Sequence, residues 1–237
     1  MNFEKKIEQL PDENQFKEKV PTELIRPVRI SATPGTNLDK KFIDYRLYNS
    51  FNYSLLLPNE YKPLNLSLGV TSPHQGEGKT TALCNLATAV SLGLGRKTVI
   101  VDMSATYPRL DKIFGIPKGP GVSEALQGGE ICVVPTQIEN LYAMPAGYMK
   151  TLANVYSHTF RAVLSSLMME FEFVLIDMPH VLADDFPTLI ANHLTGLVVV
   201  IKSGKTKRRD LNKLFRRVHR NKVQAFVMNE VRESDFQ

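Results

Sequence analysis

Five short apolar runs, separated by helix-like stretches, constrain this 237-residue chain more than anything else in it. LSLGVT (66–71), TVIVDM (98–103), FVLID (173–177), LVVVI (197–201) and VQAFVM (223–228) are dense in aliphatic residues and do not alternate with polar ones. A strand reads that way when both its faces are buried, as in a parallel sheet. LYAMP (141–145) predicts a sixth. After the first run, Leu83, Leu86, Ala87, Val90 and Leu94 fall on one helical face, and Gly93 and Gly95 can end that helix. Further helices are predicted near 153–170, 184–193 and 206–220. Strands alternating with helices imply an α/β fold with a doubly wound, mostly parallel sheet, a Rossmann-like three-layer sandwich. Residues 1–38 carry Pro11, Pro21, Pro27 and Pro34 and little to bury, so they are expected to form a flexible polar N-terminal tail on a domain spanning 39–237. Phe42, Tyr45, Phe51 and Leu55 predict an amphipathic helix over 39–57.

The chemistry sits in SPHQGEGKTT (72–81), placed after a strand and before a helix. Gly76 and Gly78 allow backbone N–H groups to converge on phosphate oxygens with no Cβ in the way. Lys79 supplies a mobile charge for β- and γ-phosphates, Thr80 a hydroxyl for Mg²⁺, and the helix start a partial positive charge. Glu77 and Thr81 complete the expected nucleotide contact set. The full phosphate-loop pattern wants Gly six residues before the lysine, where this chain has Pro73. SGKT (203–206) also follows a strand, but nothing Gly-rich precedes it, so it is expected to be an ordinary turn. Asp102 and Asp177 close two buried strands and are candidate metal-linked carboxylates beside the loop.

Charge excludes one partner class. The chain holds 29 Lys+Arg and 24 Asp+Glu, a net +5. Residues 202–222 contain ten of the cations and one acid, Asp210, so the remainder is mildly acidic. Such a distribution argues against a nucleic-acid-coating protein. The segment presents Lys205, Arg209, Lys213, Arg216, Arg217 and Arg220 on one face, opposite Leu211, Leu214, Phe215 and Val218. It is either a solvated helix face or a contact for anionic lipid or an acidic loop. Cys84 and Cys132 lack metal-ligand spacing, and no ~18-residue apolar run or signal-like start is seen. A cytoplasmic location, peripheral at the inner face of the cell membrane, is expected.

From about residue 40 to 230 the chain resembles the bacterial tyrosine kinases of capsular and exopolysaccharide systems, P-loop ATPases related to the septum-site and partition ATPases. The resemblance rests on VTSPHQGEGKTTALCNLA, VIVDMSATYPRLDKIFGIPKGPGVSEALQGG, NLYAMPAG, FVLIDMPHVLADDFPTLI and GLVVVIKSGKTKRRDL, in order. His74 stands where the septum-site group has its signature lysine, which favours the kinase branch. By this resemblance Lys79 and Thr80 belong to the first Walker motif, Asp102 to a second one, and Asp177 to the Walker B strand. Asn229 matches a position that reads adenine. The resemblance implies ATP and Mg²⁺ as cofactors and Lys79, Asp102 and Asp177 as catalytic, with Thr80, Asp102 and Asp177 around the metal. It also implies a membrane polysaccharide co-polymerase or chain-length regulator as partner, and self-association.

The departures cluster on the transfer chemistry. The second Walker motif usually runs Asp-x-Asp-x-Arg; here Asp102 is followed by Met103, Ser104, Ala105 and Thr106. Arg109 lies at a later, variable position and is not taken as the missing arginine. In place of the self-association pattern Glu-x-x-Arg-x-x-Arg stand Phe42, Tyr45 and Tyr48. The family's C-terminal tyrosine cluster is missing: the last tyrosine is Tyr156, and 81 residues follow it. Three readings follow. The chain is an ATP-binding kinase of a polysaccharide system, or a catalytically weak regulatory module whose nucleotide state controls docking, or a partition-type ATPase.

Overall fold

The computed structural model describes residues 22–43, 65–104, 106–148 and 157–231. Eight strands form one sheet: β1 (Val28–Ile30), β2 (Leu66–Thr71), β3 (Thr98–Asp102), β4 (Ile131–Pro135), β5 (Leu141–Met144), β6 (Phe173–Asp177), β7 (Gly196–Lys202) and β8 (Val223–Asn229). Their order is β1-β4-β5-β3-β6-β2-β7-β8, and every neighbouring pair is parallel except β4 with β5. The predicted doubly wound sheet is present. β2, β3 and β6 occupy the middle, where their aliphatic side chains are buried on both faces.

Helices cover both faces, giving three layers. One face packs under α1 (Lys79–Thr88, extended by a wider turn over Ala89–Gly93) and α2 (Leu110–Phe114), around Leu83, Leu86, Ile100, Phe114 and Leu175. The other packs under α3 (Val122–Leu126), α4 (Ser157–Glu170), α5 (Thr188–His193) and α6 (Arg208–Arg217), around Val99, Leu167, Phe171, Val174, Leu197 and Leu214. Alternate residues of one strand feed opposite faces, as Val198 and Val199 of β7 do. Gly69 in β2 is required by crowding: a Cβ there would lie 2.5 Å from the Met178 sulfur and 2.7 Å from Leu197. No helix among the described residues is long and apolar enough to cross a membrane.

The chain departs from its sequence reading mainly at the ends. Residues 22–38, the described part of the expected flexible tail, are docked, as is the start of the domain that follows. Val28 to Ile30 extends the sheet beside β4, and Gly35, Thr36 and Asp39 donate backbone bonds to Pro135, Gly115 and Ile113. Arg26 adds a side-chain anchor, its guanidinium reaching the carbonyls of Ala125 and Gly129. Three residues are too short to show a hydrophobic period, so this edge strand left no signature. Of the helix expected over 39–57, only a 3₁₀ turn at Lys40–Phe42 falls in the described residues; Tyr45, Tyr48, Phe51 and Leu55 lie outside them.

Candidate functional site

The phosphate-loop segment crosses from the carboxyl end of β2 to the start of α1, in the middle of the sheet. β6 flanks β2 on one side and β7 on the other, so carboxyl ends converge around the loop. A crevice outside the carboxyl ends of central strands is where doubly wound sheets place ligands. Here it is a cavity of about 340 Å³ lined by Gly76, Gly78, Lys79, Thr80 and Thr81 of the loop. Gly76 and Gly78 hold φ of 78° and 95°, a region that favours glycine. Their sequence-predicted role as permissive backbone matches this geometry.

Asp177 reaches the cavity from the end of β6. Its Oδ2 accepts the Thr80 hydroxyl at 2.7 Å, while Oδ1 is buried with no hydrogen-bond partner. An orphaned buried carboxylate oxygen is costly unless something positive completes it. Burial raises the Asp177 pKa, opposed by the Thr80 hydroxyl and by Lys79. Lys79 is pushed down by burial and held up by Asp177 and Glu77. No group of three or more His, Cys, Asp or Glu able to hold a metal ion exists among the described residues. The Thr80 hydroxyl beside the bare Asp177 oxygen fits Mg²⁺, which takes one or two protein oxygens and fills its shell from water and phosphate. Thr80 and Asp177 are the residues that would hold it.

Three sequence-predicted residues have other work. Asp102 pairs in register with Asp177 but does not line the cavity. It is fully buried, and its Oδ1 accepts Ser104 N–H while Oδ2 accepts Arg109 and Leu110 N–H. It therefore ties the loop after β3 to the start of α2. Burial and then the Asp177 charge push its pKa up to about 7, outweighing the three backbone donors. Glu77, also fully buried, turns its carboxylate inward: Oε2 accepts His74 N–H at 2.9 Å and Oε1 the Thr206 hydroxyl at 2.5 Å. Asn229 donates its amide to the Glu77 carbonyl at 3.1 Å and fills the space a Cβ on Gly78 would need. Glu77 and Asn229 brace the loop, and neither lines the cavity.

Reading the sequence alone missed two contributors. Arg109, set aside as lying at a later, variable position, lines the cavity, its backbone N–H held by the buried Asp102 carboxylate. The Asp102 bonds that achieve this span seven and eight residues, a separation no local motif encodes. The 203–206 turn is not a second cradle, as expected, yet Thr206 supplies the hydroxyl that fixes Glu77. Ser104, Thr106, Tyr107, His180 and Asp185 add polar groups to the lining, with His180 lowered in pKa by burial and then by Lys79.

With this geometry in place, the relatives can be weighed. The chain is 27% identical over 184 residues to the tyrosine-protein kinase CpsD of Streptococcus agalactiae serotype III, covering 72% of this chain and 76% of that one. It is 26% identical over 179 residues to the tyrosine-protein kinase ptk of Acinetobacter johnsonii, spanning 24% of that protein's length. The septum site-determining protein MinD of Thermotoga maritima is 28% identical over 136 residues, or 55% of this chain. In structure, the kinase domain of VpsO superposes with a TM-score of 0.66 at 24% identity, covering 79% of this chain and 96% of that one. The chain resembles bacterial tyrosine kinases in sequence and shares their fold. MinD bound to Mg-ADP from Pyrococcus horikoshii shares it too, with a TM-score of 0.55 at 22% identity over 69% of this chain and 70% of that one. No protein-family model matches the sequence.

Proposed function

We propose that the chain binds Mg²⁺·ATP at the β2–α1 loop and acts as a kinase-like phosphotransferase of a polysaccharide synthesis or export system, working with a membrane co-polymerase. The observation that carries the nucleotide reading is Asp177, bonded to Thr80 through one oxygen and bare at the other inside a Gly-lined cavity. Backbone N–H groups of 76–80 would cradle phosphates, and Lys79 would neutralise charge at the transferred group. Thr80 and Asp177 would hold Mg²⁺, which when bound would supply Lewis-acid stabilisation of phosphate charge. Arg109 would share the charge stabilisation. Asp102 is a positioning residue, acting through the loop it holds, and Asp185 and His180 would face the incoming hydroxyl.

The second reading, a slow or inactive regulatory module, draws on one feature. The position after Met103 is Ser104, which lines the cavity with a hydroxyl where relatives would place a carboxylate. Calorimetric titration of Mg²⁺·ATP tests the shared premise. Lys79→Met is expected to weaken binding roughly 10- to 100-fold, the range of a lost charged hydrogen bond; unchanged affinity overturns the site. Labelled ATP then separates the readings. Transfer to protein tyrosine supports the kinase, and tight binding without transfer supports the module. Nucleotide-dependent DNA binding that weakens steeply with salt would instead indicate the partition-type reading.

A further inference from the structure

The basic segment forms one continuous surface with an apolar margin that its own sequence does not announce. Along α6 and the turn after it, Arg209, Lys213, Arg216 and Arg220 are exposed, while Leu214 and Val218 are buried against the sheet. β8 carries a register irregularity opposite Leu197 and Val198, with Val223 and Ala225 as successive partners. The extra residue inverts the strand's facing, so Val227 packs with the α1 layer and Phe226 and Met228 turn to the α6 side. There α6 is too narrow to cover them, and Phe226 stays 45% exposed and Met228 55%. The two parts are physically joined. The Arg220 guanidinium lies 4.7 Å from the Phe215 ring centroid, and Phe215 meets Phe226 edge-to-face at 6.3 Å.

Not every cation here is available. Arg217 donates to the carbonyls of Val181 and Ala183, Lys222 to Leu194, and Lys202 pairs with Glu230. These three hold the fold together. Among the described residues, Arg209, Lys213, Arg216 and Arg220 have no such carbonyl or acidic partner, apart from a 3.9 Å approach of Arg209 to Asp210 on its own helix.

We propose that the α6–β8 surface docks on an anionic lipid bilayer, with the stripe against headgroups and Phe226 and Met228 at the acyl boundary. Exposed cations beside exposed apolar side chains are the combination that interfacial binding uses. A nucleic-acid duplex or an acidic peptide would match the stripe but offer the Met228 thioether nothing to bury against. The proposal is independent of the nucleotide reading.

Co-sedimentation of the full chain with phosphatidylcholine vesicles, with or without a one-third share of phosphatidylglycerol, tests it. The chain is expected to bind only the anionic vesicles, and less so as NaCl rises. Arg209→Glu, Lys213→Glu and Arg216→Glu together should reduce binding by at least ~100-fold, from a loss of about fivefold for each cation removed. Phe226→Ser with Met228→Ser should reduce it roughly tenfold while leaving the salt dependence in place. Thermal melting and calorimetry with Mg²⁺·ATP should match the unaltered chain in both variants, showing that each is folded. No binding to anionic vesicles, equal binding by the charge-reversed variant, or tighter binding to duplex DNA or polyglutamate than to vesicles overturns the proposal.

Discussion

Two aspartates sit side by side in register and are used differently. Asp177 faces the cavity with an oxygen to spare, whereas Asp102 gives both oxygens to three backbone donors. Asp102→Asn is therefore expected to act through the 103–109 loop. It removes one acceptor from a buried set and should destabilise the chain by about 1–3 kcal/mol at a pH of about 4, where no burial penalty of the ionised carboxylate offsets the loss, read as a fall in Tm. Its pH signature follows from a pKa near 7 in the folded state against about 3.9 unfolded. Between those values the folded chain keeps a proton that the unfolded chain has lost. The folded state binds more protons there, so stability falls as pH rises from about 4 to 7 and then levels. Melting curves of the nucleotide-free chain should show that slope, and the Asn variant should flatten it. Arg109 makes the complementary test. Arg109→Ala should lower ATP turnover or transfer at least tenfold, more than it lowers affinity, if the guanidinium acts mainly on the transferring group.

At the scale of elements, the phosphate loop does not stand alone. α6 and the turn before it grip the loop through Thr206 on Glu77 and Asp210 on His74, the latter at 3.4 Å. β8 adds Asn229 on the Glu77 carbonyl. The bracing residues lie between 129 and 152 positions away for the hydrogen bonds to Glu77, so only packing β7 and β8 beside β2 brings them in. Thr206→Val keeps the shape and removes the hydroxyl, leaving a buried Glu77 oxygen without its donor. A loss of about 1–3 kcal/mol in stability is expected, with weaker Mg²⁺·ATP binding measured by calorimetry. Thr206→Ser should restore both. Unchanged affinity would mean that the loop keeps its form without this brace.

Across the whole molecule, charge is divided by face. The net +5 arises from the cations of residues 202–222 set against a mildly acidic remainder, and part of that segment is consumed in holding α6 to the sheet while the rest forms an exposed stripe. The amino-acid sequence by itself determined the sheet's central strands, because strands buried on both faces must be apolar along their length. It also carries the Gly-Glu-Gly-Lys-Thr loop between a strand and a helix and Asp177 at a strand end, a local spacing that the proposed phosphate and metal site would need. What surrounds them came from the packing of distant segments. That packing brought Arg109 into the cavity lining, left Asp102 outside it, and gave Glu77 and Asn229 hydrogen bonds that brace the loop. It also docked residues 28–30 as an edge strand and set Phe226 and Met228 beside the basic stripe through a bulge. Each outcome depends on hydrogen bonds or packing between distant segments, and a local pattern carries no trace of such contacts.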